Sequence, residues 1–521
     1  MSVVEPQERQ SPEAAAPVAG AVSLCHASYT YPGAAAPAVR DVTLEVPAGQ
    51  CVVVTGRSGC GKTTLTRLVN GLVPHVYAGE VAGAVRVGGT DVAQWTPDEL
   101  GVRVGSVFQN PRSQFVNLDV ASEVAFGCEN LGLPREEIVA RVEEAAVALG
   151  IRPLLGRSIE ELSGGQKQSV ILASAFAMHP EVFVLDEPTA SLDVSSMRRL
   201  TEMVASLKAQ GKTVIVSEHR LWWLSDVADR VVLMEDGAIA ADWTVDEFAR
   251  LPRAERAARG LRAWTVGEME AELAEEMQDP AKADPAVQED QSTSTVQHLP
   301  ALQAENLTVA YRRGPAVLDG LGLSLEPGRI VGLIGRNGAG KTTCLRCLSG
   351  LTRERAGTVE AEGILVPLKK RPATVQLVMQ EPGYQLFDDS ALSELSDAES
   401  PEAAAALLAT FDLSSVADRH PLSLSGGERQ RLAIAAGLAR GTRVLVLDEP
   451  TSGLDLASMQ RVTRALRQVA DGGAAVAVVT HDYEFLCAVC DEVAEIADGV
   501  LAARYPLDGA HTSRVRVQFG F

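Results

Sequence analysis

Three motifs occur twice, in the same order, along the 521 residues of this chain. GRSGCGKTT at 56–64 returns as GRNGAGKTT at 335–343. LSGGQKQ at 162–168 returns as LSGGERQ at 424–430, and VFVLDEPTASLD at 182–193 as VLVLDEPTSGLD at 444–455. A repeat this long is a duplicated domain, not a solenoid unit. A chain of this length also exceeds what one hydrophobic core organises.

Each copy of the first motif has strand–loop–helix context. QCVVV at 50–54 is an apolar run of strand type, followed by a glycine-rich loop and a helical pattern from Lys62. Backbone N–H groups of such a loop surround a polyphosphate, and the helix N-terminus adds positive potential. The loop residues concerned are Gly56, Ser58, Gly59 and Gly61, and in the second copy Gly335, Asn337, Gly338 and Gly340. Lys62 and Lys341 supply point charges for the outer phosphates. Thr63 and Thr342 offer hydroxyls to Mg²⁺, with Thr64 and Thr343 next in line. The runs 182–185 and 444–447 read as strands buried on both faces, each ending in Asp-Glu. Ligands in open α/β sheets bind at the carboxyl ends of strands. Asp186 and Asp448 are thereby placed for Mg²⁺, and Glu187 and Glu449 for an attacking water as general bases.

With LSGG placed ahead of each strand ending in DEPT, both halves resemble the ABC family of ATPases. The resemblance implies two tandem P-loop nucleotide-binding domains. Each would have a RecA-like α/β core, an antiparallel β part and a helical lobe. It implies ATP as substrate with Mg²⁺. It assigns Ser163, Gly164, Gly165 and Gln166 to one signature loop and Ser425, Gly426, Gly427 and Glu428 to the other. Gln109 and Gln380 resemble the Q-loop glutamine, which also faces the metal. Asp193 and Asp455 resemble the D-loop aspartate, and His219 and His481 the switch histidine. Tyr31 and Tyr311 resemble the aromatic that stacks on adenine. Each ATP would lie between halves: Lys62, Asp186 and Glu187 with Ser425, Gly426 and Gly427; Lys341, Asp448 and Glu449 with Ser163, Gly164 and Gly165. No key residue is missing from either set.

Composition narrows the branch of the family. The formal net charge of -21 is a poor match to a nucleic-acid partner. No run of 18 or more apolar residues reads as a membrane span, and 1–20 lacks the features of a signal peptide. A cytosolic chain keeps its eight cysteines as thiols. The CxxC pairs Cys344/Cys347 and Cys487/Cys490 then read as small apolar positions on helix faces rather than as metal or redox pairs. The expected organisation is a disordered tail (1–20), a first domain (21–250), a helical and acidic linker (251–300), a second domain (301–510) and a C-terminal tail (511–521).

The runs VFQNPRSQFVNLDVASEVAFG and VMQEPGYQLFDDSALSEL carry a second glutamine, Gln114 or Gln385, a few residues after the first. This pattern, with SEHRLWWLSDVADRVVLMEDG at 217–237, resembles the ATPases of energy-coupling factor (ECF) vitamin and metal-ion importers. That implies a peripheral protein on the cytoplasmic face of the membrane. Its integral membrane partners would be one coupling subunit and a substrate-binding subunit. Two departures stand out: Phe115-Val116 after Gln114, and Ser169 in place of the usual Arg after LSGGQKQ. The fused ATPase of another importer, and a soluble ABC protein acting on ribosomes, are the alternatives. The interval from Gln109 to Ser163 is longer than that from Gln380 to Ser425, so the two lobes are expected to differ.

Overall fold

A computed structural model describes residues 22–190, 192–270, 299–311 and 314–521. Each half is built on two sheets. In the first, Val39–Val46, Val22–Thr30, Glu80–Val87 and Thr90–Asp91 form a four-stranded antiparallel sheet in that order. The second sheet has six strands. Its order is Ala238–Thr244, Arg230–Glu235, Cys51–Thr55, Thr213–Ser217, Val182–Asp186 and Val104–Val107. It is parallel except for the edge strand Ala238–Thr244. Its three central strands are buried at every position, so they read as continuous apolar runs rather than alternating ones.

The second half repeats the plan. Its six-stranded sheet runs Val375–Val378, Val444–Asp448, Ala475–Val479, Ile330–Ile334, Glu492–Ala497 and Val500–Pro506. Registers pair Asp186 with Ser217 and Asp448 with Val479, which brings each motif carboxylate to the sheet edge where the switch loop leaves. The architecture is that of two tandem ABC domains, as the motifs imply.

The helical lobes differ, as their lengths predict. The first has helices Val120–Asn130 and Arg135–Ala148 packed on Gly164–Ala177. In the second, a single 3-10 turn, Ser393–Leu395, stands where the first has Val120–Asn130, followed by the helix Pro401–Thr410.

Two connecting segments carry packed structure. The stretch 251–300 starts as packed structure: helices Arg253–Ala258 and Val266–Met269 flank Trp264, whose ring lies 5.0 Å from Phe248. Residues 271–298, with most of the acid-rich run, lie outside the described residues, as does the expected tail 1–20. The stretch 511–521 is not a tail but carries the helix Thr512–Phe519. Its Val515 and Phe519 sit four residues apart on one face and are buried. Phe519 lies 5.2 Å from Tyr483, and Phe521 lies 4.9 Å from Trp222 of the first half. These contacts join the apolar cores of the two halves. The phosphate-loop helix Lys341–Leu348 buries Cys344 and Cys347. Burial pushes their thiols up to about 12 and about 11, which suits apolar packing and not reactivity.

Candidate active sites between the halves

The two phosphate loops share one backbone. Gly56 and Gly335 adopt φ of 143° and 147°, and a Cβ there would meet a backbone carbonyl, of Met234 or Ile496, at 2.2 or 2.1 Å. Only glycine fits that approach. The lysine that opens each helix folds back onto its own loop. Lys62 Nζ donates to the carbonyls of Gly56 (3.0 Å) and Arg57 (3.1 Å), and Lys341 Nζ to those of Gly335 (2.7 Å) and Arg336 (3.1 Å). Both are buried cations facing an acidic strand end. The hydroxyl of Thr63 donates to Asp186 at 3.2 Å, and that of Thr342 to Asp448 at the same distance. Burial and the neighbouring Glu187 push Asp186 up to about 6, and burial raises Asp448 as well. A hydroxyl and a carboxylate converging at a phosphate loop form an oxygen donor set that fits Mg²⁺.

Glu187 and Glu449 occupy left-handed backbone, φ 45° and 52°, a conformation that costs a non-glycine residue about 1 kcal/mol. Each holds it by donating its N–H to the preceding sheet neighbour, Ser217 or Val479, at 2.8 Å. The side-chain surroundings then diverge. Glu187 Oε2 accepts from Gln109 Nε2 at 2.7 Å, and Oε1 lies 3.3 Å from His219 Nε2. Burial disfavours its charge, but His219 and Lys62 outweigh that and hold the carboxyl below its ordinary value. Glu449 Oε2 accepts the backbone N–H of His481 at 3.1 Å, while the His481 ring stands 3.5 Å from Oε1. Burial raises Glu449, and burial together with Lys341 lowers His481. The second site thus rests with its acid and its imidazole both biased toward neutrality.

The halves close on each other. A cavity of about 480 Å³ is bounded by Ser58, Lys62, Gln109 and Glu187 on one side and Ser425, Gly426 and Gly427 on the other. A second, of about 500 Å³, lies between Asn337, Lys341, Asp448, Glu449 and His481 and the facing Ser163 and Gly164. The D-loops brace both: Asp455 accepts from the Ser58 N–H at 2.7 Å, and Asn337 hydrogen-bonds to Asp193. Each aspartate also caps its own helix, through the N–H of Ser458 or Ser196.

Several motif side chains also make local contacts of their own. Gln166 and Glu428 turn back to close capping boxes, accepting the N–H of Ser163 (3.0 Å) and Ser425 (2.7 Å). Gly165 lets its helix approach Ser196, where a Cβ would meet Oγ at 2.0 Å. Tyr31 and Tyr311 stand beside the loops, their hydroxyls 3.2 Å from Thr64 and Thr343. Gln114 and Gln385 staple their own turns, accepting the N–H of Phe108 and Met379 at 2.7 Å. Sequence reasoning missed Lys167 and Arg429, which line the second and first cavities. Their position one past each signature glutamine or glutamate was the available signal.

A family model described as "ABC transporter" matches residues 39–190 and 318–452. A Treponema denticola protein named as an ABC transporter ATP-binding protein is 42% identical over 482 residues, 92% of this chain and 96% of its own. One from Streptomyces coelicolor with the same description is 36% identical, covering 92% of each. The chain belongs to the ABC transporter ATP-binding family. It is an ABC-type ATPase with both nucleotide-binding domains in one polypeptide. Among solved structures, an archaeal ribosome recycling factor aligns over 95% of this chain and 92% of its own at TM-score 0.61 and 21% identity. An RNase-L inhibitor does so over 95% and 93% at TM-score 0.62 and 21% identity. These likenesses are of fold: two ABC domains in tandem. Among the described residues, no helix of this ABC ATPase is long and apolar enough to cross a membrane.

Proposed function

We propose that this ATPase energises a membrane importer of the energy-coupling factor class, hydrolysing ATP with Mg²⁺ at both interfacial sites. ATP would sit with its phosphates on one half's loop and lysine, and its γ-phosphate against the signature N–H groups of the other. Thr63 and Asp186, or Thr342 and Asp448, would hold Mg²⁺, which supplies charge neutralisation at the transferring phosphoryl group. Glu187 and Glu449 take the proton of the attacking water, while His219 and His481 steady the carboxylate and face the γ-phosphate. The bond from Gln109 to the buried Glu187 supports a base that senses the loop a membrane partner would touch.

The observation that carries the importer reading is the surface next to each Q-loop. In the first half a cleft of about 470 Å³ runs between core and lobe, lined by Phe108, Val116, Phe126, Leu131 and Met178. Leu118 beside it is 77% exposed, and in the second half Phe387 is 80% exposed. An apolar cleft with a large exposed apolar side chain at its rim supports a partner surface in the first half. In the first half the cleft and Leu118 adjoin the loop whose Gln109 hydrogen-bonds to Glu187, so a helix seated there would be felt at Glu187. Affinity purification of the tagged chain from native membranes tests this. Membrane proteins in fixed ratio to the chain support it; ribosomal proteins in their place would defeat it.

A further inference from the structure

Each half ties the threonine of its catalytic turn to its switch loop through a carboxylate, but the carboxylate comes from different positions. In the first half it is Glu218, just before His219. Its Oε2 accepts from Thr189 Oγ1 at 2.6 Å, and its Oε1 accepts the N–H groups of His219 (2.7 Å) and Arg220 (3.2 Å). In the second half the residue before His481 is Thr480, which has no carboxylate to offer. The task falls to Asp482, just after the histidine, whose Oδ2 accepts from Thr451 Oγ1 at 3.2 Å. Thr451 lies two residues past Glu449. The exchange of positions leaves 220 free of this duty in the first half, and it is an arginine.

Arg220 does not stay in its own half. Its Nε lies 3.7 Å from Asp482 Oδ2, with both side chains buried. The other oxygen of Asp482 is occupied by Arg262 Nη2 at 2.5 Å, and Arg262 Nε donates to Glu484 at 2.8 Å. Two arginines and two carboxylates therefore balance in one buried cluster. Arg262 is shared between Asp482 and Glu484, so Arg220, reaching across from the first half, completes the charge balance of the cluster. Among the described residues its Nη1 is buried without a hydrogen-bond acceptor, as Oε1 of Glu449 is buried without a donor. The positive field of Arg220 also favours ionised Glu449 and neutral His481.

We propose that Arg220, delivered by the first half, is a positioning residue for the second ATP site, holding Asp482 and through it the Thr451 turn that carries Glu449. The link runs one way. Arg220 follows His219, which contacts Lys62 at 3.3 Å, so the first site's switch loop biases the second site's base. No equivalent arginine follows His481. The inference rests on the reading of Glu449 as the second-site base.

The test uses the full-length chain with a protease site inserted within 271–298, photoreactive azido-ATP and orthovanadate. Trapping requires turnover, and cleavage assigns the label to the half bearing Lys62 or Lys341. Arg220→Gln should lower trapping in the Lys341 half about tenfold, with trapping in the Lys62 half within twofold. Azido-ATP binding without vanadate should stay unchanged, which shows that the chain is folded. Asp482→Asn should give the same pattern, and the double variant should lose no more than the larger single loss. If Asp482→Asn fails to fold, Arg220→Lys decides: partial restoration of second-half trapping relative to Arg220→Gln is expected. Equal losses in both halves, multiplied losses in the double variant, or no loss at all would overturn the proposal. Glu449→Gln separates the two readings. If it leaves second-half trapping intact, the assignment of the base fails; if it abolishes trapping while Arg220→Gln does not touch it, only the positioning role fails.

Discussion

The two glutamates proposed as general bases share a backbone twist and differ in what surrounds them. Both pay for left-handed φ with a single backbone hydrogen bond, so the conformation belongs to the turn and not to the side chain. Replacing either carboxylate by an amide keeps the shape and removes the base. Glu187→Gln and Glu449→Gln should each lower turnover at their own site by on the order of a hundredfold or more while ATP still binds, measured by vanadate trapping assigned to each half and by nucleotide titration. Unchanged second-half trapping in Glu449→Gln would show that Glu449 is not the base.

Asp482 gives a second prediction at this scale. Burial opposes its charge, but Arg262 and Arg220 outweigh it and hold the carboxyl at about 2, against an ordinary 3.8. For an acid whose folded pKa is depressed, the stabilisation is complete above about pH 4 and drains as pH falls through about 2. Arg262→Met leaves buried acids short of a partner, and breaking a buried pair costs on the order of 3 kcal/mol. Its unfolding midpoint in denaturant should fall at neutral pH, and the deficit should shrink on acidification. A deficit that grows with acid would mean that the lost interaction is not electrostatic.

At the level of elements, the C-terminal helix Thr512–Phe519 closes the assembly. Phe519 is 8% exposed against Tyr483, and Arg516 pairs with Glu270 of the segment that follows the first half. Phe519→Ala should cost about 3 kcal/mol, read as a lower midpoint of thermal or denaturant unfolding. Removing 512–521 should cost more, because Trp222 and Tyr483 would both be uncovered. An unchanged midpoint would show that the helix is not a stable part of the fold. The signature helices illustrate the opposite lesson: Gln166 and Glu428 stand in a family motif, yet their side chains serve their own helix caps.

Across the whole molecule, the halves are alike in sheet order and unlike where a partner would touch them. The first lobe has an extra helix and an apolar cleft; the second has a short turn beneath an exposed phenylalanine. Unequal lobes suit one asymmetric membrane subunit rather than two identical ones. Single cysteines replacing Leu118 and Phe387, in a cysteine-free chain assembled with its partner, should cross-link to different segments of one subunit. Cross-links to the same segment in two copies would defeat the asymmetric reading.

What the sequence determined alone was the chemistry that is local along the chain. A phosphate loop, its lysine and threonine, a strand ending in Asp-Glu and a capped signature helix each lie within a few consecutive residues, so spacing and residue type are enough to read them. Their duplication foretold two sites, and each loop does face the other half's signature. The tertiary structure decided what depends on residues far apart. Arg262 meets Glu484 across 222 positions, and Arg516 meets Glu270 across 246. Neither pair has a motif, because a buried ion pair needs only opposite charges and a shared cavity that packing creates. The same holds for Arg220. In sequence it is one basic residue after a histidine; only the closure of the halves sets it beside Asp482, where one half can act on the other's site.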